Sequence, residues 1–208
     1  MSIGGPTLGR AGSSEPVLVW RFESPRLVLS SASVGGGLGI RHWVINAEVD
    51  KDYARTDLAE HIAELAADLG LVGDGVGLLT AARVGRFATA AEDGASVVAT
   101  VGVSTPTWAS APPTSATTDV GTINIVADVP VRCAPEMMVN LVMTITEAKS
   151  QALLAGGVDG TGTASDAVVI MCPVAGTEER FGGPRSYWGQ RIARIVHQAV
   201  ESRVGGGS

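Results

Sequence analysis

The residues most able to do chemistry sit in one short stretch, Gly160-Thr161-Gly162-Thr163-Ala164-Ser165-Asp166. Two glycines let backbone approach a ligand, three hydroxyls offer hydrogen bonds, and an acid closes the segment. A plain turn has no need of such polar density, so the stretch reads as a binding or catalytic corner. It runs into Ala167-Val168-Val169-Ile170-Met171-Cys172, an apolar run that predicts a buried strand.

Two other places carry candidate groups. Residues 136–155 predict the longest helix, with Met138, Leu141, Val142, Ile145, Ala148 and Ala152 on one broad apolar arc. Lys149 projects inside that arc. Either its stem packs while the ammonium reaches water, or it is semi-buried and must find an anionic partner or do chemistry. Asn140, Thr144, Glu147 and Gln151 form a narrow polar stripe, a solvated face or a site. The second place is Ser30-Ser31-Ala32-Ser33, which ends a strand just before Gly35-Gly36-Gly37-Leu38-Gly39. Those serines either cap the strand or turn a hydroxyl toward substrate beside glycine N–H groups.

Several chemistries are excluded. Phosphate loops need a helix N-terminus after the glycines, whereas strand-like residues follow both glycine loops here. No G-x-S-x-G elbow exists, which removes an α/β-hydrolase. Cys133 and Cys172 are far apart, and His42, His61 and His197 lack ligand spacing, so no metal site is expected. His42 is a general base or a structural residue; His61 and His197 read as surface residues on helix flanks.

The elements that must position these groups follow from composition and periodicity. The chain has 208 residues, 45% hydrophobic and 17% charged, enough for one domain with a sizeable core. Fifteen basic against 21 acidic residues give a net charge of −6 with no Lys/Arg cluster in the sequence, so no nucleic-acid partner is expected. No apolar run reaches the roughly 18–20 residues of a membrane span, and no secretory signal is visible, so a reduced, cytoplasmic protein is expected.

Residues 1–15 read as a flexible arm and 205–208 as a flexible tail, with one domain over 16–204. Strands are predicted at 16–23 and 26–31, turned at Ser24-Pro25, and at 43–49, 76–80 and 122–129. Residues 87–90 and 96–103 form a hairpin around Glu92-Asp93-Gly94. A helix begins after Thr56 or Asp57, with Glu60 completing a capping box, and stops at Gly70. Leu58, Ile62, Leu65 and Leu69 line its apolar face. Residues 188–203 predict the final helix. The long proline-bearing loop 105–120 is a lid closed by Trp108 or a segment that Trp108 pins down. The fold class is α/β or α+β, a mixed β-sheet with about three major helices packed on it.

With these pieces placed, residues 25–200 resemble the adenosylcobinamide amidohydrolase family (CbiZ). The resemblance rests on ordered segments: Leu29-Ser30-Ser31-Ala32 with Gly35-Gly36-Gly37; Asn46-Ala47-Glu48-Val49 then Tyr53; and Gly77-Leu78-Leu79-Thr80-Ala81-Ala82. It continues through Gly121-Thr122-Ile123-Asn124-Ile125, Thr146-Glu147-Ala148-Lys149, Gly160-Thr161-Gly162-Thr163 to Asp166-Ala167-Val168, and Gly183-Pro184.

The resemblance implies hydrolysis of the amide joining aminopropanol to the corrin ring of adenosylcobinamide, giving adenosylcobyric acid for cobalamin synthesis. Amide hydrolysis needs an activated nucleophile, oxyanion donors and a proton for the leaving amine. On this basis Asp166 or Glu147 activates water, or Ser30 or Ser31 attacks directly, and Lys149 or loop N–H groups hold the oxyanion. Gly35, Gly36, Gly37, Asn46, Asn124, Gly160, Thr161, Gly162 and Thr163 are assigned to substrate contact. No intrinsic cofactor is implied, since cobalt arrives with the corrinoid. Self-association into a homo-oligomer is left open. The rival readings are a non-catalytic corrinoid-binding or trafficking protein and a hydrolase of another small amide or phosphoester.

Overall fold

The structure, a computed structural model, describes residues 5–12, 15–112 and 121–204. Its main sheet is built from β1 (Thr7–Ala11), β2 (Glu15–Ser30), β3 (Gly37–Glu48), β4 (Gly75–Thr80), β5 (Ala88–Glu92), β6 (Ala95–Gly102), β7 (Thr122–Asp128) and β9 (Ala167–Pro173). Two-residue strands β8 (Arg132–Cys133) and β10 (Glu178–Glu179) pair separately. The strand order is β4-β3-β2-β9-β7-β6-β5, with β1 on β2. Pairs β3–β4 and β7–β9 are parallel and the remaining pairs of this sheet are antiparallel, so the sheet is mixed. With helices α1 (Leu58–Asp68), α2 (Pro135–Ala155) and α3 (Tyr187–Val204), the fold is α+β, as the element pattern predicts.

Some expectations change. Residues 7–11, read as part of a loose arm, form β1, antiparallel to β2 from Thr7 opposite Val19 to Ala11 opposite Glu15. The Ser24-Pro25 turn is absent. Strand β2 continues through it, pairing with β3 on both sides of a bulge between Arg21 and Arg26. Proline removes a ladder donor, so it breaks the pairing locally and bends the strand instead of reversing it. The bend hands β2 from β1 to β9 along one edge while β3 holds the other.

The hairpin turn carries Asp93 and Gly94 at φ 50° and 85°, the left-handed pair a two-residue loop requires. Helix α1 ends before Gly70, at φ 63°, as expected. Its capping box is not made: Asp57 sits at the N-cap without a side-chain cap bond, and its carboxylate accepts two hydrogen bonds from Arg55 instead.

The helices α1, α2 and α3 cover only one face of the sheet. Met138, Leu141 and Ile145 of α2 and Ile192, Ile195 and Val196 of α3 bury Ile123, Ile125, Val168 and Ile170. Each such side chain contributes about 2 kcal/mol by leaving water. Ile62 and Leu65 of α1 cover Val17, Val19 and Ile45. The alternate residues, among them Leu18, Val44, Leu78, Val126 and Val169, form a second cluster that no side chain of α1, α2 or α3 joins among the described residues; the short 3-10 turn Val84–Arg86 contributes Val84 to it. The sheet covers that face by curling. Asn124 on β7 donates to Leu79 O on β4, 3.2 Å away, although three strands lie between them in sheet order.

Candidate active site

The curl leaves a cavity of about 510 Å³ where β4 ends and β7 begins. Its walls are the 31–34 loop, the 49–55 loop, the end of β4 from Gly77 to Ala81, Thr122 and Asn124, and residues 164–167. The second half of the polar corner therefore faces a hollow; its first half does not. Gly162 O accepts from Thr107 N at 2.8 Å, and Thr161 N donates to Thr107 O at 3.0 Å. Trp108 Nε1 donates to Asp159 Oδ1 at 2.9 Å, so this tryptophan, 42% exposed, pins the 105–112 segment to the corner. The rest of the expected lid, residues 113–120, lies outside the described residues.

Asp166 is held on all sides. Its Oδ1 accepts from Ile123 N at 2.9 Å and Thr163 Oγ1 at 2.5 Å; its Oδ2 accepts from Thr163 N at 3.1 Å and Lys149 Nζ at 2.5 Å. Lys149 is only 7% exposed, so the semi-buried alternative with an anionic partner is the one realised. Gly162 makes this pairing possible, because a Cβ there would stand 2.4 Å from Asp166 Oδ2 and 2.5 Å from Lys149 Nζ. Thr122 and Ser165, both on the cavity wall, are hydrogen-bonded at 2.7 Å, and Ser165 donates onward to Gly121 O at 3.0 Å.

The serines separate. Ser30 is buried and its Oγ accepts from Ala32 N at 3.0 Å. Ser31 is exposed on the cavity wall, with its Oγ accepting from Val168 N at 3.0 Å. Asn46 and Asn124 form a buried strut across the curl. Asn46 Nδ2 donates to Thr100 Oγ1 at 3.0 Å and its Oδ1 accepts from Asn124 Nδ2 at 2.9 Å. Asn124 reaches the cavity and Asn46 does not.

Other predicted residues stand apart. Glu147 is exposed on α2, away from the cavity wall, as is Gln151, whereas Thr144 of the same stripe is buried and donates to Gly182 O at 2.9 Å. Lys149 lies behind the corner. Gly35, Gly36 and Gly37 do not line the cavity. Instead a Cβ on Gly35 would lie 2.0 Å from Gly75 O, and one on Gly36 2.2 Å from Ala32 O, which identifies close backbone packing as their use. Gly160 likewise packs against Pro106 and Thr107.

His61 corrects the sequence reading. It is 4% exposed, and its Nδ1 lies 2.7 Å from the Tyr53 hydroxyl, with Tyr53 on the cavity wall. The signal was present: Leu58, His61, Ile62 and Leu65 fall at i, i+3, i+4 and i+7, so His61 shares the apolar stripe. Asp50, Lys51 and Arg55 also line the cavity and were not singled out from sequence. Arg55 is clamped by Asp57 and Glu64, which pushes its own pKa up, and its hydrogen bonds hold Asp57 down at about 2 and Glu64 below the usual carboxylate range. Cys133 and Cys172 are buried away from this wall, and the Cys172 sulfur together with burial pushes the Cys133 thiol up. Among the described residues no cluster of three or more His, Cys, Asp or Glu could hold a metal ion, and no helix is long and apolar enough to cross a membrane.

Comparison with known proteins places this chain with hydrolases that act on an amide. The family model described as adenosylcobinamide amidohydrolase matches residues 2–204, and the chain belongs to that family. A curated relative from Methanosarcina mazei, named adenosylcobinamide amidohydrolase, is 26% identical over 181 residues, covering 83% of this chain and 87% of the relative.

Proposed function

We propose that the protein hydrolyses the aminopropanol amide of adenosylcobinamide to adenosylcobyric acid, which returns to cobalamin synthesis. The observation that carries this reading is the cavity itself. It gathers Ser31, Asp50, Lys51, Tyr53, Thr122, Asn124 and Ser165 at one end of a curled sheet, in a chain of this family. A volume of about 510 Å³ suits a drug-sized group, and a corrin ring is broader than that. The amide arm therefore enters the cavity while the ring rests at its mouth.

Ser31 is the nucleophile in this reading. Its Oγ is oriented by Val168 N–H, and its own proton is free to leave. Asp50 takes that proton, being the wall carboxylate not already engaged, since all four acceptor positions of Asp166 are filled. Attack on the amide carbon gives a tetrahedral oxyanion, which the Lys51 ammonium on the same wall stabilises. The C–N bond breaks as the Tyr53 hydroxyl, held by His61, gives its proton to the amine. Water then attacks the acyl ester, passing one proton back to the Tyr53 oxygen, while Asp50 returns its proton to the Ser31 oxygen as the acid leaves. Asp166 and Lys149 keep the corner and the Val168 N–H in place and do not touch substrate.

Incubation with adenosylcobinamide, followed by mass detection of adenosylcobyric acid and aminopropanol, tests the reading. Tight binding without product would make the chain a corrinoid binder. Turnover of other small amides or phosphoesters alone would assign it a different hydrolase activity.

A further inference from the structure

Basic residues are scattered singly in the sequence, yet folding gathers four of them around one hollow. A second cavity, of about 440 Å³, is lined by Lys51, Arg83, Arg86 and Arg203 and, among the described residues, by no carboxylate. Elsewhere cations are neutralised: Arg26 by Asp128, Arg191 by Asp93, Arg194 by Glu92. Lys51, Arg83 and Arg86 hold no side-chain partner among the described residues, and Arg203 donates only to Phe87 O at 2.9 Å. Four like charges around one concavity repel one another unless an anion offsets them, and a chain of net charge −6 has carboxylates to spare. Among the described residues none is placed here.

The ligand class follows from the donors. Guanidinium groups present planar forks that match the oxygens of phosphate, and a flexible ammonium adds a point charge. The position follows from shared walls, since Lys51, Ala81 and Thr122 line this cavity and the first one alike.

We infer that the second cavity is an anion subsite for a phosphate group, carried as an ester on the amino-alcohol arm of a corrinoid or supplied as free inorganic phosphate. The first source rests on the proposed amide hydrolysis; the site itself does not.

The test is calorimetric titration of inorganic phosphate into the full chain in phosphate-free buffer, with the Arg83→Gln/Arg86→Gln double variant beside it. Both side chains are exposed, and circular dichroism checks the fold. Saturable binding that weakens with added sodium chloride is expected, and it falls about tenfold or more in the double variant. Cleavage of adenosylcobinamide itself stays unchanged in that variant. If the double variant does not fold, Arg86→Gln alone carries the same comparison.

Kinetics separates the sources. A lower KM for the phosphate ester of adenosylcobinamide than for the free alcohol, lost in the variant, assigns the site to substrate. Equal KM values with phosphate binding intact assign it to free phosphate. Absence of phosphate binding to the wild type, or equal binding to wild type and variant, overturns the subsite. Failure of adenosylcobinamide to react overturns the amide-hydrolysis reading and leaves the titration result standing.

Discussion

Lys149 and Asp166, 17 residues apart, meet end to end with Nζ 2.5 Å from Oδ2, tying α2 to the corner that leads into β9. The two partners are not equivalent. Asp166 keeps three other donors if the lysine is lost, whereas the buried ammonium has no other hydrogen-bonded partner among the described residues. Asp166→Ala should therefore cost on the order of 3 kcal/mol in urea unfolding, and Lys149→Met clearly less. Equal losses would show that the corner does not depend on the carboxylate.

Gly35 and Gly37 separate two uses of glycine. Both have positive φ, at 70° and 78°, but only a Cβ on Gly35 collides with backbone, 2.0 Å from Gly75 O. Gly37→Ala should cost about 1–2 kcal/mol from the left-handed conformation alone. Gly35→Ala should cost more, because β4 must move away. Chemical denaturation of the two variants ranks them.

Ser31→Ala should lower kcat for adenosylcobinamide by about a hundredfold or more while the fold survives. Ser30→Ala should leave kcat almost unchanged and lose about 1 kcal/mol of stability with its bond to Ala32 N. A reversal of these two effects would move the nucleophile to the buried serine.

Tyr53→Phe keeps the ring stacked on His61 but removes the hydroxyl held at 2.7 Å. Loss of leaving-group protonation should reduce kcat by about tenfold to a hundredfold with KM little altered. A leaving group that needs no proton should restore the rate.

Arg55 sets a local pH dependence. Its hydrogen bonds hold Asp57 at about 2, below its ordinary 3.8, so folding favours the ionised form. The contribution is present above pH 3.8 and is lost as pH falls through about 2. The carboxylate is fully exposed, so the effect on overall stability is small. In Arg55→Gln the Asp57 midpoint, followed by NMR, should return toward 3.8.

The helices were legible because their packing repeats: Ile62 and Leu65, then Met138, Leu141 and Ile145, recur at helical spacing and are buried. Strand β1 was not, because Thr-Leu-Gly-Arg-Ala has no alternating pattern and exists only as a partner of β2. Pro25 reads locally as a turn, and only β3, running past both sides of it, decides for a bent strand. At the site, Asp166 and Lys149 were each conspicuous alone, but nothing in their spacing states that they meet. The same holds for Lys51, the Arg83 and Arg86 pair, and Arg203, three places distant in the chain that meet around one hollow.

The strut from Asn46 through Asn124 to Leu79 joins segments up to 78 residues apart. Such long-range closures come late in folding, since loop entropy must be overcome first. The hollow proposed as the active site is then among the last parts of the molecule to exist, and a half-folded chain does not yet contain it. A ligand that recognises only the finished cavity acts as a thermodynamic witness to correct register, raising the melting temperature in proportion to how fully these strands have found one another.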